Sequence, residues 1–213
     1  MDILQAVILG VVEGITEFLP VSSTFHLIWT GKILGIQQTP FVKLFEVAIQ
    51  SGAILAVVAS FAKTTLQNPS LIKKVLVAFV PTAVVGFVLY KIIKDIFLEN
   101  ATLQISMFIA IGIVFILFER FSKLTLSRSI ASISYKEAVT IGTMQALAVI
   151  PGVSRSGAVI IALMLFSFNR KDAAVFSFLL AVPTILAASV FDILKSREAI
   201  TDNQNLFLLV VGF

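Results

Sequence analysis

Long apolar runs separated by short polar ones organise this chain. A helix that crosses a bilayer takes about 20 mainly apolar residues. Three central runs meet that length, at about 41–61, 72–93 and 101–118, and a fourth lies at about 173–194. Pro81 and Pro183 fall inside two of them, which membrane helices tolerate because neighbours re-satisfy the freed backbone groups. Charged and polar residues collect between the runs: Lys63, Asn68, Lys73 and Lys74 in one connection, Lys91, Lys94, Asp95 and Glu99 in the next. A longer, serine-rich connection from Arg120 through Lys136 reads as a surface segment.

Two further apolar stretches are interrupted. Residues 3–35 break at Pro20 (PVSST) and residues 138–168 break at Pro151 (PGVSRSG), leaving flanks too short for a full crossing. Non-helical backbone at membrane depth needs burial in protein or a wet cavity. Interrupted segments in corresponding positions of two halves point to a binding site between them. Shifted by 131 positions, Pro20 falls on Pro151, Ser23 on Ser154, Leu34 on Leu165, Phe45 on Phe176, and Ile54-Leu55-Ala56 on Ile185-Leu186-Ala187. This register predicts an ancient duplication within a single membrane domain over 1–213, with repeat one at about 3–62, repeat two at about 138–194 and two further spans linking them. If each broken segment enters and leaves on one side, the three spans between them place the two hairpins on opposite faces. The expected fold is all-α: a polytopic membrane protein with inverted repeats and two re-entrant helical hairpins meeting within the membrane. The connections on one face carry nine Lys/Arg and those on the other six, which makes the first face cytoplasmic by the positive-inside tendency.

Composition carries the same message. The 213 residues are 58% hydrophobic and only 13% charged, with a mean hydropathy of +1.04, where soluble domains carry about 25% charged residues. The net charge of +4 does not indicate a nucleic-acid partner, because the basic residues flank apolar runs as interfacial anchors and form no single patch. The absence of cysteine excludes disulfides and thiolate metal sites. The N-terminal MDILQ lacks the basic n-region of a cleavable signal peptide.

Against this background the polar residues of the two breaks stand out. Glu13 and Glu17 are four apart and share one helix face. Two such carboxylates call for a cation or a shared proton between them, and hard divalent cations such as Mg²⁺ and Ca²⁺ prefer carboxylate oxygens. Ser22, Ser23, Thr24 and the sole histidine, His26, follow Pro20 within six residues. Histidine serves as acid, base or nucleophile, and a neighbouring serine is a candidate nucleophile. In the second break, Gly152 and Gly157 allow close backbone approach to an anion, Ser154 and Ser156 add hydroxyls, and a helix starting near Ser156 would aim its N-terminus at the same ligand. Arg155 is the only basic residue between Lys136 and Arg170, and its donor fork suits phosphate. Glu46, with Gln50 four residues on, either joins the site or pairs with Arg155. The residues thus describe a phosphate-handling site inside a membrane protein, which favours a lipid-borne substrate.

Here the sequence resembles the undecaprenyl pyrophosphate phosphatase (bacitracin resistance) family. The resemblance covers nearly the whole chain and is strongest at ILGVVEGITEFLPVSST with the following Phe25 and His26, at FEVAIQSGAILAVV, at PGVSRSGA and at FSFLLAVP. It implies a multi-pass enzyme of the bacterial inner membrane that removes the terminal phosphate of C55 polyprenyl pyrophosphate with a divalent cation, Mg²⁺ or Ca²⁺. By position, Glu13 and Glu17 match the acidic pair assigned to metal binding and catalysis, and Ser23 and His26 match the catalytic hydroxyl and histidine. Ser154 and Arg155 match the pyrophosphate-binding segment, which Ser156 and Gly157 continue after Gly152. Partners read this way are the polyprenyl pyrophosphate lipid, the bilayer and, as one option for assembly, a second copy in a homodimer. The chain departs from the family at Phe25, where glycine is usual, at Val159, where threonine is usual, and at Val175, where glutamate is common. Phe25 has the bulk to crowd the pocket or turn His26. Family members also continue for about two more spans, so the chain reads as shortened at Phe213. The alternative reading is a non-hydrolytic polyprenyl-phosphate binder or flippase on the same scaffold. An ion-coupled carrier is a weaker third, since it leaves PGVSRSG without a purpose.

Overall fold

The computed structural model describes residues 1–122, 124–200 and 202–213, and the side chains of these except Thr64, Leu66 and Ile200. Helices account for all regular structure among the described residues apart from one isolated bridge, Arg128 with Phe168. Four helices are long and apolar enough to cross a membrane: Pro40–Lys63, Pro69–Phe97, Ala101–Phe121 and Arg170–Lys195. They coincide with the four runs of the sequence.

The two interrupted stretches fold as pairs of short helices. α1 (Ile3–Thr16) opens with a capping box, in which Asp2 and Gln5 exchange backbone and side-chain hydrogen bonds. A turn carries the chain past Pro20 to Ser22, whose φ of 59° lies in the left-handed region, and α2 (Ser23–Ile33) follows. α7 (Tyr135–Ala146) opens with a second capping box, Ser134 with Glu137, and runs through a short 3₁₀ turn into Pro151. α8 (Arg155–Leu165) is capped by Ser154, whose Oγ accepts from the Gly157 N–H at 3.2 Å.

The first span is divided at Ile49 into α3 (Pro40–Ala48) and α4 (Gln50–Leu66), where the apolar run had predicted one helix. α5 (Pro69–Ile92) ends in a π-helical turn, Ile93–Phe97, whose free carbonyls are met by Gln104: its Nε2 donates to the Phe97 and Leu98 carbonyls. α6 (Ala101–Phe121), α9 (Arg170–Lys195) and the short α10 (Asn203–Gly212) complete the chain.

α9 is the axis of the bundle, with α3, α4, α5 and α8 packed on it, while α5 lies along α7 and α1 lies between α2 and α10. Only 6% of the most apolar stretch of α6 is buried within the protein, and Ile105, Ile109, Ile113 and Ile116 are exposed on it. In water such a face would be an aggregation surface; it is the face a bilayer covers. Between membrane helices, packing rather than water exclusion sets affinity, so small residues mark close crossings. Gly142 of α7 illustrates this, because a Cβ there would overlap the Ala78 carbonyl of α5.

The serine-rich connection is anchored more firmly than its composition suggests. Ser127 and Arg128 donate their N–H groups to the Ser167 carbonyl, and Asn169 returns a bond to the Arg128 carbonyl. The Arg128 guanidinium reaches Glu137 at 2.7 Å and the Phe166 carbonyl at 3.0 Å, and it stacks over Phe168.

Candidate active site

The two sequence breaks, far apart along the chain, meet. Arg155 Nη2 donates to Glu17 Oε1 at 2.9 Å, and Arg155 Nη1 donates to the Ser177 carbonyl of α9 at 3.1 Å. Ser23 Oγ donates to the other Glu17 oxygen, Oε2, at 2.5 Å. One buried carboxylate therefore joins a guanidinium from the second break to a hydroxyl from the first. Ser156 Oγ donates to the Leu19 carbonyl at 2.8 Å, which ties α8 to the turn before Pro20. That bond uses the only hydrogen on Ser156 Oγ, so the 3.1 Å contact between Ser154 and Ser156 has Ser154 as donor.

These groups form one wall of a cavity of about 500 Å³. Glu17, Ser22, Ser23, Thr24, Ser154, Arg155 and Ser156 line it, together with an apolar surface from Phe79, Phe87, Ile93, Val149, Val153, Ile185 and Phe191. The α8 N-terminus lies at this wall and adds the positive end of its dipole. A polar patch beside a long apolar wall matches an amphiphile whose headgroup is anionic.

The remaining sequence candidates lie around this core. Glu13 is not among the cavity-lining residues, yet it is 1% exposed and neither carboxylate oxygen has a hydrogen-bond partner. Such an orphaned carboxylate one helical turn before Glu17 fits a hard cation. No group of three or more His, Cys, Asp or Glu gathers there among the described residues, so phosphate oxygens and water would fill the other positions, as is common for Mg²⁺. His26 does not line the cavity; its Nδ1 lies 2.9 Å from the carbonyl of Ser22, the residue that precedes α2. Gly152 has φ +101° and sits so close to α6 that a Cβ would lie 2.6 Å from the Gln104 carbonyl oxygen, while a Cβ on Gly157 would overlap the Phe115 ring. Both glycines admit α6 against the second break. Glu46 neither lines the cavity nor pairs with Arg155: it accepts from Gln38 at 3.0 Å, while Gln50 does line the cavity.

Phe25, Val159 and Val175, the three substitutions relative to the family pattern, are not among the cavity-lining residues. Phe25 stacks on Phe108 of α6 with ring centroids 4.2 Å apart and nearly parallel planes, and His26 stands edge-on to the same ring. Val159 is fully buried in the core, and Val175 packs against that core.

Two polar clusters on the cavity were missed by sequence reasoning. Lys94 Nζ contacts Asp192 at 2.5 Å, Ser196 at 2.9 Å and Tyr90 at 3.1 Å, and Tyr90 donates to Asp192 at 2.7 Å. Asp192 interrupts the apolar run 173–194, and a carboxylate inside a span is a signal in itself. The second cluster is Gln145 with Thr82 and Thr184; three neutral polar residues spread over three helices leave no comparable signal.

Fold and site together define a helical membrane protein with four span-length helices, in which a guanidinium and several hydroxyls line a cavity between the helices. The pattern of the family described as Bacitracin resistance protein BacA matches residues 6–213, and the chain belongs to that family. Among its relatives, an undecaprenyl-diphosphatase of Aquifex aeolicus is 46% identical over 210 residues, covering 98% of this chain and 82% of the relative. Undecaprenyl-diphosphatases of Campylobacter hominis and Persephonella marina are each 49% identical, covering 98% and 100% of this chain and 83% and 84% of theirs.

Proposed function

We propose that this chain is an undecaprenyl-diphosphatase, hydrolysing the terminal phosphate of a polyprenyl pyrophosphate to the monophosphate carrier lipid used in cell-wall synthesis. The observation that carries this reading is the Arg155–Glu17–Ser23 arrangement beside the apolar lining of one cavity. Arg155 and the α8 N-terminus bind and neutralise the phosphates, where preorganised donors act most strongly in a dry site. Glu17 is placed to accept a proton from the attacking hydroxyl, be it Ser23's own or that of a water hydrogen-bonded in its place. The anhydride P–O bond breaks, and the bridging oxygen stays with the lipid monophosphate. Glu13 with Glu17 would hold a Mg²⁺ or Ca²⁺ ion, whose chemistry there is charge neutralisation on phosphate oxygens. His26, anchored on the Ser22 carbonyl, is assigned to proton transfer at this end of the site. Gly152 and Gly157 shape the binding segment with Ser154 and Ser156.

The same reading extends to architecture. The helix pairs α1–α2 and α7–α8 are taken as re-entrant hairpins in inverted repeats. In support, shifting Ile3–Thr16, Ser23–Ile33 and Pro40–Lys63 by 131 positions gives 134–147, 154–164 and 171–194. Each end falls within one residue of Tyr135–Ala146, Arg155–Leu165 or Arg170–Lys195. Three span-length helices separate the pairs, which is the odd number that opposite insertion needs. The chain is assigned to the bacterial inner membrane as a single domain, with a homodimer as the proposed assembly.

The test is phosphate release from a polyprenyl pyrophosphate by the purified chain in detergent with Mg²⁺ or Ca²⁺. Release that is lost in Glu17→Gln and in Arg155→Ala, and suppressed by chelator, is the expected result. Tight lipid binding with no release would sink the assignment and favour the binder or flippase, for which the family comparisons offer no support.

A further inference from the structure

Gln145, on the last turn of α7, is fully buried and lines the same cavity as Arg155. Its Nε2 donates to Thr82 Oγ1 at 2.9 Å and to Thr184 Oγ1 at 3.2 Å. Both threonine hydroxyl hydrogens are already committed, Thr82 to the Gly142 carbonyl at 3.0 Å and Thr184 to the Leu180 carbonyl at 2.7 Å. Each threonine oxygen can therefore only accept here, which fixes the orientation of the amide with its NH₂ towards the threonines. The other end, Gln145 Oε1, is buried and has no partner. Leaving such an acceptor unmet costs about 1–3 kcal/mol, so Oε1 calls for a hydrogen-bond donor.

An ionised phosphoryl oxygen cannot be that group, since it offers no hydrogen. Water can. Both groups are tied to neighbouring levels of α9: Arg155 docks on the Ser177 carbonyl and Thr184, which holds Gln145, on the Leu180 carbonyl, about 4.5 Å further along the helix axis. Arg155 and Gln145 line the same cavity, so a phosphate on the first and a water on the second would share it. A neutral glutamine that orients the attacking water without taking its proton is a recurring part of phosphoryl-transfer sites.

We propose that Gln145, locked by Thr82 and Thr184, positions the water consumed in phosphate release. The inference rests on the hydrolase reading above. In the step it serves, the water oxygen bonds to phosphorus. The bond to the departing oxygen breaks with its electron pair, one hydrogen stays on the released phosphate and the other passes to Glu17.

The experiment compares the wild-type chain with Gln145→Leu and Thr184→Val in detergent with divalent cation, assayed with and without methanol as a competing nucleophile. Misplacing a reactant by an ångström costs about 100-fold, so Gln145→Leu should lower kcat by about that factor with KM unchanged. The ratio of methyl phosphate to inorganic phosphate should also rise, because methanol is not held by the amide in the native way. Thr184→Val keeps Oε1 but loosens it, and should shift all three readouts in the same direction by less. Hydrolysis and methanolysis falling in step, or kcat unchanged, would overturn the proposal. Should Gln145→Leu fail to fold, an unchanged product ratio in Thr184→Val overturns it equally. A wild-type chain that releases no phosphate refutes the hydrolase reading instead.

Discussion

Removing Arg155 should destabilise the protein far more than removing Arg155 and the Glu17 charge together. The side chains of Arg155 and Glu17 are 13% and 4% exposed, so the pair is buried, and Ser23 is a second hydrogen-bond donor to Glu17. Breaking a buried pair from one side strands a charge and costs about 3–5 kcal/mol, whereas replacing both partners by neutral groups of similar size is often close to neutral. For a chain of this length each kcal/mol moves Tm by about 2–4 °C. Arg155→Ala should therefore lower Tm by about 6–20 °C, and Glu17→Gln/Arg155→Met should return it to within about 4 °C of wild type. Neither should release phosphate, because both lack the guanidinium that binds it and the double variant also lacks the Glu17 proton acceptor. The assay is thermal unfolding in one detergent, paired with phosphate release on the same preparations. If Arg155→Ala melts with wild type, or the double variant melts no higher than the single one, the buried pair is not what joins the two breaks. Stability recovered without activity is the signature of a polar site kept for chemistry at a cost in stability.

Phe25→Gly should leave phosphate release near wild type, since Phe25 stacks on Phe108 outside the cavity lining. It should lower thermal stability through the lost ring pair, about 0.5–1.5 kcal/mol, and the helical glycine, about 1 kcal/mol; a large gain in activity would show that Phe25 obstructs the site. Gly142→Ala should force α5 and α7 apart at Ala78 and cost about 1–3 kcal/mol, read as a lower melting temperature; an unchanged one refutes the close crossing. Glu137, outside the four spans, is held down to a pKa of about 2 by its hydrogen bond from Arg128 and by the N–H and hydroxyl of Ser134. Because the folded value lies below the ordinary carboxyl value of 4.5, the stabilisation is fully present above about pH 4.5 and is lost as pH falls through about 2. Wild type should accordingly lose melting temperature on acidification through this window more steeply than Glu137→Gln, and parallel curves would refute the assignment.

Much of this was legible in the sequence because the bilayer imposes coarse rules. Length and hydropathy located the four spans, and the polar runs at Pro20 and Pro151 located the two breaks. What escaped depends on local packing. The division at Ile49 leaves no trace in an apolar run, and the 120–136 connection holds its place through backbone bonds to Ser167 that composition does not encode. Within the site, charge was informative and neutrality was not. Glu17 and Arg155 announce themselves in apolar surroundings, while Gln145 acquires meaning only once Thr82 and Thr184 are seen to fix its amide. Asp192 could have been flagged by its charge alone, but its partner Lys94 reads from the sequence as an ordinary helix-end lysine.

Glu17 and Arg155 are 138 residues apart, and a ribosome adds about 5–20 residues per second. The first helix pair is thus made roughly 7–28 s before the guanidinium that pairs with it. During that interval Glu13 and Glu17 have no basic partner from the second break, and bare carboxylates are costly at membrane depth. The first pair must wait near the water interface, or enter with its carboxylates protonated, until the second pair arrives. On the proposed re-entrant architecture, closure of the Arg155–Glu17 pair would then also be the event that commits the amino-terminal half to its final depth.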